Sequence, residues 1–154
     1  MHKLIRIAVV SLLALTSVCG KEKEPINANA MRDRFADSLT LSQKANQLSQ
    51  PPGQVASFQM PEQQEKKMKD YLRQSIAIGK DMNSKFLNWL GPNLNDIYKN
   101  KLIKGMQLYL DGIEEEDLAK QLQANRLTME WAEYWEREKN GILDKMYPDN
   151  DSRR

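Results

Sequence analysis

The sequence predicts an all-α fold, a small up-and-down bundle of about four helices. Three observations carry this expectation. From Met31 onward apolar residues recur at three- and four-residue spacing, the period of a helix with one buried face. No alternating β-branched run occurs after the first 18 residues. Four oppositely charged pairs, Glu62–Lys66, Glu65–Lys69, Glu116–Lys120 and Glu133–Arg137, stand four residues apart with the acid first. That order supports a helix by a few tenths of a kcal/mol, on the order of 0.2–0.5 for each pair.

The elements follow in order. Met31, Phe35, Leu39, Leu41, Ala45 and Leu48 define a first helix over residues 31–49, closed by Ser49-Gln50-Pro51-Pro52-Gly53. Residues 50–61 form a glutamine-rich loop with Phe58 and Met60 as docking points. Pro61 suits the first turn of a second helix, whose start has no use for the missing N–H, and Glu62 and Glu65 complement its positive end. Met68, Leu72, Ser75, Gly79, Met82, Phe86 and Trp89 or Leu90 extend that helix over residues 61–90. Ser75 and Gly79 within the stripe invite close approach by another helix. Gly91-Pro92 stops it, and Pro92 can open a third helix with Leu94, Tyr98, Leu102, Met106, Tyr109 and Ile113 on its apolar face. Gly105 lies beside that face, and Gly112 fits a C-cap. A fourth helix is expected from Glu114, its acids Glu114 to Asp117 at the positive end. Its face carries Leu118, Leu122, Met129 and Ala132, with Leu127, Trp131 and Trp135 alongside. Asn140-Gly141 breaks it, leaving Ile142, Leu143, Met146 and Tyr147 to pack back as a short last turn.

The N-terminus reads as an address. Lys3 and Arg6 precede an apolar run over residues 7–18, the layout of a secretory signal peptide and too short for a membrane-spanning helix. Leu15-Thr16-Ser17-Val18-Cys19-Gly20 resembles the lipobox of bacterial lipoproteins, with Thr16 and Val18 where that class prefers Leu and a small residue. The resemblance covers only the first 20 or so residues. It implies that Cys19 becomes the first mature residue, carries lipid on its thiol and amine, and holds the protein on a bacterial envelope membrane. Asp is absent after Cys19, which in enteric-type sorting implies the outer membrane. Ordinary signal cleavage stays open at two places, after Val18-Cys19-Gly20 or after Ala28-Asn29-Ala30. The expected organisation is a signal over 1–18, anchor and tether over 19–30, a bundle over 31–147 and a frayed tail over 148–154.

Composition excludes several chemistries. The chain has 154 residues, too few for a multidomain enzyme. His2 is its only histidine and Cys19 its only cysteine, both ahead of the expected mature domain. Zinc sites of the usual kinds, Ser–His and Cys–His nucleophiles, thiol redox chemistry, di-iron sites and His-ligated haem are therefore not expected, and no metal or other cofactor is predicted. No phosphate-binding glycine motif or nucleophile elbow occurs. The net charge is +2, and Lys3 and Arg6 account for it, so the body is formally neutral and nucleic acid is not an expected partner.

A non-catalytic envelope lipoprotein that binds another protein is the leading expectation, such as an assembly factor, an exclusion factor or an immunity protein. Trp131, Tyr134 and Trp135 are its candidate partner-binding residues, since Trp and Tyr are enriched at interaction hot spots. The competing reading of these rings is a cap on the core against Trp89. Two alternatives remain: a carboxylate-dependent cell-wall hydrolase drawing on Glu114 to Asp117, or an unlipidated soluble periplasmic binder or chaperone.

Overall fold

A computed structural model describes residues 24–49 and 60–148. The expected signal peptide, Cys19, the tether as far as residue 23, Phe58 and the tail beyond Pro148 lie outside the described residues. Within them the protein is an all-α bundle, and no strand occurs among them. The helices are α1 (Ala28–Ser49), α2 (Glu62–Lys80), α3 (Ser84–Leu90), α4 (Leu94–Ile97), α5 (Lys104–Glu114) and α6 (Leu118–Met146), with a π-helical segment, Tyr98–Ile103, between α4 and α5.

Helix α1 starts three residues before the expected position. Asn27 takes a left-handed φ of 64°, a conformation that asparagine tolerates, and Ala28 is buried in the core. Phe35 and Ala45 face inward as expected, but the face is completed by Arg32 and Ser38, two polar residues the apolar pattern passes over.

The expected helix over 61–90 is two helices. It stops at Lys80 and restarts at Ser84, because the Asn83 side chain accepts hydrogen bonds from the N–H groups of Lys85 (2.8 Å) and Phe86 (3.1 Å). An asparagine that caps in this way competes with the continuous ladder. Met68, Leu72, Ser75, Gly79, Met82, Phe86 and Leu90 are nevertheless all buried. Pro92 does not open the third helix. It lies in a turn with Asn93 left-handed at φ 57°, and α4 begins at Leu94.

Leu94, Tyr98, Leu102 and Met106 recur every four residues, a spacing wider than the 3.6 of an α-helix. The π-helical segment, with its longer hydrogen-bonded turn, keeps all four buried and adds Ile103. Helical backbone angles at Ile97, Ile103 and Lys104 carry the axis through without a break.

Two boundaries near α6 differ from expectation. Gly112 lies inside α5, and Glu116 takes the left-handed C-terminal position at φ 54°. The Asp117 N–H then reaches back to the Gly112 carbonyl at 2.8 Å, and the Asp117 side chain caps α6 by accepting from Lys120 N–H at 3.1 Å. Glu114 to Glu116 therefore close α5 instead of opening α6. Asn140-Gly141 does not break α6, which runs on so that Ile142 and Met146 bury as part of one helix. The Asn–Gly helix penalty of about 1 kcal/mol is outweighed by that burial, worth about 1.5–3 kcal/mol per side chain.

The helices pair as two antiparallel hairpins. In α1–α2 the Ser75 hydroxyl donates to the Ser38 carbonyl at 2.8 Å, and the two hydroxyls meet at 3.1 Å. In α5–α6, a Cβ on Gly105 would stand 2.9 Å from the Thr128 methyl, so the backbones touch only because that residue is glycine. The π segment joins the hairpins: Tyr98 donates its hydroxyl to Ser38 at 2.6 Å, and Gly79 admits the Ile103 side chain.

Candidate functional site

Helices α1 and α6 meet at one end and part at the other. At the closed end Arg32 of α1 is 8% exposed, and its Nε donates to the Lys145 carbonyl at 3.0 Å. That carbonyl belongs to the last turn of α6, where unpaired acceptors and negative dipole favour a cation. Arg32 also binds Asn29 at 2.6 Å and Glu24 at 2.8 Å. Its guanidinium and the Lys145 ammonium each lie over the Trp89 ring, at 5.3 and 5.6 Å from its centroid.

Towards the other end, between the C-terminal half of α1 and the N-terminal half of α6, lies a cleft of about 760 Å³. Met68, Leu72, Leu102 and Met106 form its floor. One wall is Leu39, Ser42, Gln43, Asn46 and Ser49 of α1, and the other is Gln121, Asn125, Thr128, Met129, Ala132 and Trp135 of α6. Among the described residues no Lys, Arg, Asp or Glu lines it. A smaller hollow of about 350 Å³ continues past Tyr109 and Gln121 to Met60, Ile113 and Leu118, and there Glu65 and Glu116 appear. Glu65 is paired with Lys69 at 2.5 Å.

The structure separates the three candidate rings. Trp131 is buried, with one edge on the cleft, and it stacks on Trp135 at 5.6 Å between centroids. Trp135 is half-buried on the α6 wall. Tyr134 does not border the cleft. It is 4% exposed, and its hydroxyl donates to the Pro92 carbonyl at 2.6 Å. Burial holds its pKa up at about 12. Trp131 caps the core, but its neighbours are Tyr98 at 5.9 Å and Tyr134, while Trp89 pairs with Phe86.

Residues missing from the sequence-based set are the neutral polar ones, Ser42, Asn46, Gln121 and Thr128. Their signal is present but faint: a face of serines and amides on helices whose other faces are charged.

The α6 stripe is the largest departure. Leu118, Leu122 and Met129 are 66%, 61% and 64% exposed. Met129 stands on the cleft wall, Leu118 borders the smaller hollow and Leu122 faces outward, because Ala124, Trp131, Tyr134, Ile142 and Met146 take the inward face.

Glu114 pairs with Arg73 at 2.6 Å and Glu115 with Lys120 at 2.5 Å. Two of the acids at this turn are thus ion-paired surface groups, and Asp117 is the cap of α6. Among the described residues no three or more His, Cys, Asp or Glu are arranged to hold a metal ion, and no helix is long and apolar enough to cross a membrane.

Fold and site together define an open helical bundle with an uncharged cleft. Comparison with protein-family models, curated proteins and solved structures gives no match.

Proposed function

We propose that this protein is a bacterial envelope lipoprotein, tethered through Cys19, that acts by binding another protein and has no catalytic role of its own. A helical segment of the partner, presenting an uncharged apolar face, fills the cleft between α1 and α6. The observation that carries this reading is the cleft itself: about 760 Å³, with an apolar floor and, among the described residues, neutral walls. Amphipathic helices bind to grooves of this kind through anchors at three- and four-residue spacing. A charged ligand face would lose its hydration there without gaining a counter-charge. Among the described residues no Asp or Glu lines the cleft, which also disfavours the hydrolase, since that needs two carboxylates across its substrate.

Two experiments test the two halves. Intact mass of the protein from bacterial membranes is expected to show a chain beginning at Cys19 with diacylglycerol and acyl mass, lost in Cys19→Ser. An unlipidated chain beginning at Lys21 or Met31 overturns the anchor. For the cleft, a photocrosslinker at Asn46 is expected to capture one partner protein that the same group at Lys85, on the opposite end of the fold, does not. Ser42→Arg, which brings a charge onto the wall, is expected to abolish that capture with helicity unchanged. Equal capture from both positions overturns the cleft as the binding site.

A further inference from the structure

The chain enters the bundle at its closed end and is pinned there. Glu24 pairs with Arg32, and the Ala28 N–H donates to the Pro25 carbonyl at 3.2 Å. Only Gly20 to Lys23 separate Glu24 from Cys19, a stretch that spans at most about 18 Å when fully extended. A lipid on Cys19 therefore holds this end of the fold within roughly 18 Å of the headgroup layer, whatever path the connecting residues take.

The same end exposes side chains that a bilayer surface accepts. Ile26 is 89% exposed and Tyr147 48% exposed. Ile26 follows Glu24 closely and Tyr147 follows Lys145, so the Arg32 contacts to Glu24 and to the Lys145 carbonyl bring the two to one end. The Trp89 ring lies there half-buried, and the exposed Lys145 ammonium donates to the Trp89 carbonyl. Tyr and Trp concentrate where a membrane meets water, with the ring against the acyl boundary and the polar edge wet. A lysine beside them keeps its stem on the apolar side and its charge among the headgroups. The other large apolar side chains exposed among the described residues, Leu118, Leu122 and Met129, stand on the first half of α6, away from this point of entry.

We infer that the closed end of the bundle docks on the lipid bilayer that holds Cys19, with Ile26 and Tyr147 in the headgroup layer and the open end of the cleft turned away. The inference rests on the lipid anchor of the proposed function and is independent of what fills the cleft. A patch this small does not hold a free protein on a membrane. The tether makes the contact intramolecular, so even a weak contact forms at high effective concentration. Asn46, on the cleft wall, lies roughly 27 Å along α1 from Ala28. A partner therefore reaches the cleft from the aqueous side of the bilayer.

The test uses the full chain, purified from bacterial membranes and reconstituted in vesicles of phosphatidylethanolamine and phosphatidylglycerol, some headgroups carrying a nitroxide. A fluorophore is attached at Asp144→Cys, an exposed position near the end of α6, or at Asn46→Cys on the cleft. The Cys19 thiol, blocked by lipid, does not react. Nitroxide quenching is expected to be at least fivefold greater at Asp144→Cys than at Asn46→Cys. Ile26→Ser and Tyr147→Ser, with helicity checked by circular dichroism, are each expected to cut quenching at Asp144→Cys at least twofold while the protein stays on the vesicles. Equal quenching at the two labelled positions overturns the docked orientation. Quenching at Asp144→Cys that neither serine substitution changes overturns the patch as the contact. Intact mass is read on the same samples. With lipid on Cys19, either adverse result sinks the docking and leaves the anchor standing, whereas a chain without lipid sinks both.

Discussion

Single residues in this bundle act through the space around them, and two glycines show opposite signs. A Cβ on Gly79 would stand 2.1 Å from Ile103 Cδ1 and 2.7 Å from its Cγ1. Ile103 is itself buried, so it has little room to yield. Gly79→Ala is expected to destabilise the protein by about 1–3 kcal/mol, the usual range for overpacking, as read by urea unfolding. Gly141 has nothing within 4 Å of the same position, and it sits inside α6. Gly141→Ala is expected to raise stability by roughly 0.5–1 kcal/mol, from the backbone entropy that glycine loses in a helix. Tyr98 gives a pH signature. Burial pushes its pKa from near 10 up to about 12, with the Ser38 hydrogen bond and Arg34 acting the other way. Above pH 10 the unfolded chain releases this proton while the folded one keeps it, so stability declines as pH rises from 10 to 12. Tm measured across that window is expected to fall less steeply in Tyr98→Phe than in the wild type. An unchanged slope would remove Tyr98 as the cause.

At the scale of the helix, caps override periodicity. The stripe from Met68 to Leu90 is continuous in its hydrophobicity, yet the helix is not, because Asn83 satisfies two N–H groups that an uninterrupted ladder would have used otherwise. Asn83→Ala is expected to cost about 0.5–2 kcal/mol, the range for an N-cap, in thermal or denaturant unfolding. Glu116 illustrates the reverse arrangement. Its left-handed φ of 54° is a conformation that glycine adopts freely and glutamate does not, and Glu116 has no salt-bridge partner in the described structure. The turn is held by the Asp117 N–H on Gly112 and by the Gln121 amide, which donates to the same carbonyl at 2.9 Å.

At the scale of the whole molecule, the cleft exists because α1 and α6 are joined at one end only. Arg32 makes that join, through the Lys145 carbonyl, Asn29, Glu24 and the Trp89 ring. Removing a charged donor from a part-buried carbonyl costs more than losing a neutral hydrogen bond. Arg32→Ala is expected to destabilise by about 1.5–3 kcal/mol and to speed amide exchange in the last turn of α6. Full retention of protection there would show that the aromatic contacts Phe35–Tyr98 (5.2 Å) and Tyr98–Trp131 hold the end closed unaided.

Class and content were legible from residue types alone. Helical spacing, the lack of alternating strands, the end of α1 at Ser49 and the break at Gly91-Pro92 are local properties, and local propensities select helices. Even the π-helical segment has a trace in the four-residue spacing from Leu94 to Met106. What local pattern could not supply is which side of a helix wins when two sides compete. In α6, Leu118, Leu122 and Met129 form as good a stripe as the one through Ala124, Trp131 and Ile142. The larger rings are drawn inward because Tyr98, Phe35 and Ile103 present an apolar surface only they can fill. The cleft was illegible for the same reason: its walls are serines and amides on two helices far apart in sequence, brought face to face by Arg32 and the packed end of the bundle. Burial is a property of the pair of surfaces, and a single chain segment carries only one of them.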